Sequence, residues 1–139
     1  MLFRSISLPN KIGCERIAME CSASFAKIVG FVKERIEDLK TAVSEACLNA
    51  IIHGNQGRSE ARVIVTMNLD DDTFSISVKD EGSGFAEIPK EPDIDKKINK
   101  LEPPNGIGLY LIKELMDQVE FIKTSKGEHM VKMSIKLTN

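Results

Sequence analysis

The chain has 139 residues, 42% hydrophobic and 29% charged, and its 19 Lys and Arg against 21 Asp and Glu leave a net charge of −2. A chain of this length buries roughly two-thirds of its unfolded surface without metal or disulfide staples, so residues 1–139 are read as one domain. No apolar stretch approaches the roughly 18 residues of a membrane span, Met1 opens no secretory signal, and the charge balance supplies no basic face, so the expected setting is the cytoplasm with no direct nucleic-acid or membrane partner.

Leu2, Ile6 and Leu8 fall on alternate positions and stop at Pro9, which predicts a first strand. From Lys11 to Val29, Ile12, Ile17, Ala18, Cys21, Phe25 and Ile28 keep helical spacing. From Glu34 to His53, Ile36, Leu39, Val43, Ala46, Cys47, Ala50 and Ile51 share one arc of a 3.6-residue period, with Gly54 as the stop. Cys14, Cys21 and Cys47 sit in these helix-like stretches and read as small buried hydrophobes; with only His53 and His129 to add, no zinc-ligand spacing emerges. The period then changes to two. Ala61 to Leu69 and Thr73 to Asp80 alternate around an Asp70-Asp71-Asp72 turn, and Val119 to Thr124 pairs with Met130 to Leu137 around Lys126 and Gly127. Strands wet on one side suit a sheet with helices stacked on its apolar face. Between Ala86 and Pro104 lie four of the five prolines, many charges and no convincing period; separating two glycine pairs, this segment is read as a mobile lid or a floppy insertion.

Three places invite chemistry. Glu45 and Asn49, four residues apart, stack on the polar face of the second helix. A plain solvated face would not need Leu48 and Ile52, which share it, so a ligand, the lid or a partner is expected to cover it. Asp80 continues the core-facing row of Phe74, Ile76 and Val78, just before Gly82 and Gly84. There it either accepts from a ligand amino group in a half-apolar pocket or caps the following turn. Finally, Asn105-Gly106-Ile107-Gly108 opens an apolar helix. Glycine at that position either lets backbone N–H groups approach a phosphate or serves a hinge or tight helix packing. Neither glycine pair completes G-x-G-x-x-G, and no P-loop is present.

In order, a Glu/Asn helix, a strand ending in Asp-x-Gly-x-Gly, a long connection and a Gly-x-Gly helix start resemble the Bergerat ATP-binding fold shared by gyrase-type ATPases, Hsp90, histidine kinases and MutL. Ile36 to Ala50 and Asn105 to Leu111 are especially similar to the small bacterial anti-sigma-factor serine kinases. The expected fold is an α+β two-layer sandwich: a mixed, mostly antiparallel sheet with about three helices on one face. The resemblance implies ATP and Mg2+ as cofactors, with Asn49 holding the metal, Glu45 as general base and Asp80 accepting from the adenine amino group. It also implies Gly82 and Gly84 beside base and ribose, Gly106 and Gly108 at the phosphates, and an ATP lid at 86–104. It implies a homodimer that binds a sigma factor and phosphorylates a serine on an anti-sigma-factor antagonist. The alternatives are a nucleotide-gated partner-switching module without phosphoryl transfer and a detached histidine-kinase catalytic domain. One departure stands out: Pro103, Pro104 and Asn105 put no cation next to Gly106, leaving Lys96, Lys97 or Lys100 of the lid to serve the phosphates.

Overall fold

In the computed structural model, which describes residues 2–82 and 104–137, the elements follow in the order β1 (Leu2–Pro9), α1 (Glu15–Val29), α2 (Lys33–Asn49), a π-helical turn (Ala50–Gly54), β2 (Arg62–Asp70), β3 (Thr73–Lys79), α3 (Pro104–Leu115), β4 (Gln118–Lys123) and β5 (His129–Lys136). The five strands form one sheet in the order β1-β2-β3-β5-β4, and each of its four pairings is antiparallel. Three helices and this sheet make the expected α+β fold.

The period-2 pattern decides which face is dry. Val63, Val65 and Met67 of β2, Phe74, Ile76 and Val78 of β3, and Met133 and Ile135 of β5 are buried, while Thr66, Asn68, Ser75, Ser77 and Ser134 on the opposite rows are half-exposed. Register carries the pattern across strands: Val65 faces Val78, and Ile76 faces Met133. The helices cover the dry rows. α2 packs against both α1 and α3 and supplies Leu39, Val43, Ala46 and Cys47 to the core. At the centre, Phe74 takes two edge-on aromatic neighbours, Phe25 of α1 at 5.0 Å and Phe31 at 5.9 Å between ring centroids.

Local chemistry adjusts the element ends. α1 begins at Glu15 because the Glu15 carboxylate accepts the Gly13 N–H at 2.6 and 2.9 Å, which leaves Cys14 half-buried at the cap. α1 ends on Gly30 in the left-handed region at φ 113°, where glycine carries no Cβ penalty. The second helix does not run uniformly to His53: after Asn49 the ladder widens, with the Asn55 N–H donating to Ala50 O at 2.7 Å and the Gly57 N–H to Ile51 O at 3.2 Å. At the β2–β3 hairpin, Asp71 takes the left-handed conformation at φ 55°. Pro104 begins α3, a position where its missing N–H costs nothing, and Gly106 lies in the first turn. No helix among the described residues is long and apolar enough to cross a membrane.

Truncating Phe74 opens a cavity beneath two rings, so Phe74→Ala is expected to lower the unfolding free energy by about 3–5 kcal/mol. Urea denaturation checks this, and a loss under about 1 kcal/mol would contradict the central place of that ring. Burial, reinforced by the nearby Glu15 charge, pushes the Cys47 thiol up to about 12, so it stays protonated at every pH where the fold is studied. A thiol reagent at pH 8 is expected to label Cys47 only on unfolding; rapid labelling of Cys47 in the native protein would show the site to be open.

Candidate functional site

The Glu/Asn couple lies on α2 one turn apart, and the start of α3 is seated on it. A Cβ built on Gly108 would lie 2.6 Å from Glu45 Oε2 and 3.4 Å from Asn49 Nδ2. A side chain at residue 108 would therefore displace Glu45, and glycine brings the backbone of the helix start directly onto the acid–amide pair. Asn49 Nδ2 is buried and has no hydrogen-bond partner among the described residues. An unpaired buried amide is costly, and one beside a glycine-rich helix N-terminus suits an incoming anion. Leu48 is half-buried on this face, whereas Ile52 remains 45% exposed.

Asp80 lies just past the end of β3, 4% exposed, continuing the buried row as its alternation predicts. The two readings of this residue hold together. Its Oδ1 accepts the Gly82 N–H at 2.7 Å, capping the turn, and the His129 N–H at 3.0 Å, while Oδ2 lies 3.5 Å from His129 Nδ1. Gly54 makes room for it: a Cβ there would stand 1.9 Å from Asp80 Oδ2. What reads in the sequence as a helix stop is thus also a point where backbone must pass against a carboxylate.

Gly82 has a structural requirement of its own. Its φ of 69° lies in the left-handed region, and a Cβ would come 2.3 Å from Gly127 O in the β4–β5 turn. Gly84 and the lid expected at 86–104, apart from the helix start at Pro104, lie outside the described residues, as do Lys96, Lys97 and Lys100.

These groups share one helix. Gly108 meets α2 at Glu45 and Asn49, and Asp80 meets its continuation at Gly54, roughly 7 Å of helix rise beyond Asn49 and roughly 13 Å beyond Glu45. The structure therefore gathers Glu45, Asn49 and Gly108 at one point and Asp80, Gly82 and Gly54 at a second, both along the second helix and its continuation, with Gly106 in the first turn of α3. Residues that the sequence left without a role stand beside them: Gly54, His129 and Arg58, whose Nη2 donates to Gly82 O at 2.6 Å. Sequence periodicity gives no sign of Arg58, which follows the π turn in a loop. An open concavity of about 590 Å3, bounded by Lys11, Ile12, Ile51, Ile52 and Gln56, includes none of Glu45, Asn49, Asp80, Gly82 or Gly108.

The donor set fits a nucleotide with a hard cation. No cluster of three His, Cys, Asp or Glu among the described residues is placed to hold a metal. A cation there would be held by the Asn49 amide oxygen, since Nδ2 only donates, and would take its remaining ligands from phosphate oxygens and water, which suits Mg2+.

Residues 13–135 match the family model of the histidine kinase-like ATPase domain. The serine-protein kinase RsbW of Bacillus pumilus is 36% identical over 119 residues, covering 81% of this chain and 71% of the relative. That of Bacillus subtilis is 33% identical over 116 residues, covering 80% and 70%. Among solved structures, the chain containing the RsbU and RsbW domains of Rv1364c from Mycobacterium tuberculosis superposes with a TM-score of 0.72 at 19% identity, covering all of this chain and 33% of that one. The SiaB–SiaC complex from Pseudomonas aeruginosa gives 0.64 at 12% identity, covering 95% of this chain and 88% of the matched one. Both structural likenesses concern the fold. On the sequence matches, the chain belongs to the histidine kinase-like ATPase domain family and, within it, to the anti-sigma-factor serine-protein kinases of the RsbW type.

Proposed function

We propose that this protein is a cytoplasmic, homodimeric partner-switching kinase that binds a sigma factor and transfers phosphate from Mg·ATP to a serine of an anti-sigma-factor antagonist. The observation that carries the reading is the seating of Gly108 on Glu45 and Asn49, which supplies a helix N-terminus, a carboxylate and an unpaired amide at one place. The similarity to serine-protein kinases of the RsbW type supports the transfer chemistry, and the family resemblance of α2 and α3 supports the sigma factor and antagonist as partners.

Asp80 accepts the adenine amino group through Oδ2, because Oδ1 is already occupied by two backbone N–H groups. The amides at the start of α3, around Gly106 and Gly108, bind phosphate along the helix dipole. Asn49 holds the metal. When bound, Mg2+ neutralises phosphate charge. Glu45 accepts the proton of the attacking serine hydroxyl, as a carboxylate within hydrogen-bond reach can. Positioning and electrostatics do most of the work, since phosphoryl transfer asks little covalent chemistry of the protein.

Two substitutions separate binding from transfer. Asp80→Asn keeps an oxygen for the Gly82 and His129 amides but turns an acceptor into a donor toward adenine. It is expected to weaken ATP and ADP alike by about 10–100-fold in calorimetry. Equal affinities would remove Asp80 from the site. Glu45→Ala is expected to bind ATP within about threefold of wild type while labelling of the antagonist falls at least about 100-fold. Unchanged labelling would exclude Glu45 as base. If wild type binds ATP yet labels no antagonist, the partner-switching module without phosphoryl transfer is the correct reading.

A further inference from the structure

Asn55 follows the π turn and is completely buried, at 0% exposure. Its Nδ2 donates to Asn10 Oδ1 at 3.0 Å and to Arg62 O at 3.0 Å, and its Oδ1 accepts the Glu81 N–H at 2.7 Å. Both amide protons and one oxygen lone pair are used, so the side chain is fixed in one orientation. Three separate pieces of chain meet on it: the loop after β1, the start of β2 and the turn that carries Asp80.

The backbone of that turn can be accounted for group by group. The Asp80 N–H donates to His129 O at 3.0 Å, the Glu81 N–H to Asn55 Oδ1, and the Gly82 N–H to Asp80 Oδ1. Gly82 O accepts from Arg58 Nη2, and the Glu81 carboxylate accepts the Arg62 N–H. The turn is held from the strand side by His129 and from the helix side by Asn55. Among the described side chains that hold the three amides, Asn55 alone belongs neither to the turn nor to the strands. The widened turn at Ala50–Gly54 is what delivers it: the Asn55 N–H closes that turn on Ala50 O, and the side chain then faces Glu81.

We propose that Asn55 is a positioning residue for nucleotide: it fixes the peptide between Asp80 and Glu81 and so sets the direction in which the Asp80 carboxylate meets the base. This rests on Asp80 being the adenine acceptor. Asn55 itself touches no nucleotide atom. Removing it leaves a buried N–H at Glu81 without a partner, which frees the turn to rotate.

Asn55→Ala and Asn10→Ala, both in the full chain, test this. Each breaks the Asn10–Asn55 bond and costs stability, and Asn10→Ala also removes the Asn10 Nδ2 bond to Arg58 O at 2.9 Å, but only Asn55→Ala frees the Glu81 N–H. Below the melting transition of both variants, Asn55→Ala is expected to weaken ATP about tenfold, while Asn10→Ala stays within about twofold of wild type. By NMR, the Glu81 amide proton should shift and exchange faster in Asn55→Ala and keep its wild-type resonance and rate in Asn10→Ala. If Asn55→Ala binds ATP as wild type does while Asp80→Asn does not, the role of Asn55 is overturned and the adenine site stands. If Asp80→Asn also binds normally, the adenine reading itself has failed. Should Asn55→Ala not fold, wild type decides: a Glu81 amide that exchanges as fast as an exposed loop amide, or whose protection is unchanged by added ATP, overturns the proposal, and protection that rises as ATP saturates upholds it.

Discussion

A carboxyl group buried at a strand end needs hydrogen-bond donors around it, because its oxygens have lost water. Asp80 meets that condition with backbone, through the N–H groups of Gly82 and His129 on one oxygen, and this fixes much of what lies around it. The turn after β3 folds back on the Asp80 side chain, so Gly82 takes a left-handed φ against Gly127. β5 begins where it does because His129 exchanges hydrogen bonds with Asp80. The end of the second helix passes the second oxygen so closely that residue 54 has no room for a Cβ. One buried carboxylate thus aligns a helix end, two strand ends and a turn.

The last turns of α2, just before that passage, follow from a different economy of space. Glu45 and Asn49 project from a helix whose opposite arc is committed to the core through Leu39, Val43, Ala46 and Cys47. α3 closes over the polar side only because glycine stands at 108. Packing and chemistry therefore coincide at the same atoms: the contact that docks α3 on α2 also assembles a carboxylate, an amide and a helix N-terminus. The sheet contributes rigidity. Its dry face is filled by residues such as Phe74, Ile76 and Met133, so Asp80 and the β5 start are held by the most buried part of the molecule.

How much of this the sequence discloses depends on the range of the interaction. Strict alternation from Phe74 through Val78 placed Asp80 on the buried row, and helical spacing placed Glu45 with Asn49, because both are local geometric consequences of backbone period. The glycines of α3 were visible as poor helix formers at a helix start. Hidden from sequence were contacts between distant pieces of chain. Gly54 reads as a helix stop, yet its need for glycine comes from Asp80, twenty-six positions away. Asn55 and Arg58 follow a π turn that no 3.6-residue count predicts, and their partners lie in the Asp80 turn. Even the start of α1 shifts from Lys11 to Glu15, because a carboxylate bonding back to Gly13 competes with further winding.

The central claim is that one nucleotide lies along the C-terminal end of α2 and the turn after it, with its base at Asp80 and its phosphates at Gly108. Amide chemical shifts followed while Mg·ATP is added test this most directly. The account predicts large, jointly saturating shifts at Gly54, Asp80, Gly82, Asn49 and Gly108. Shifts confined to one of the two ends, or gathered around Ile12 and Gln56, would contradict it.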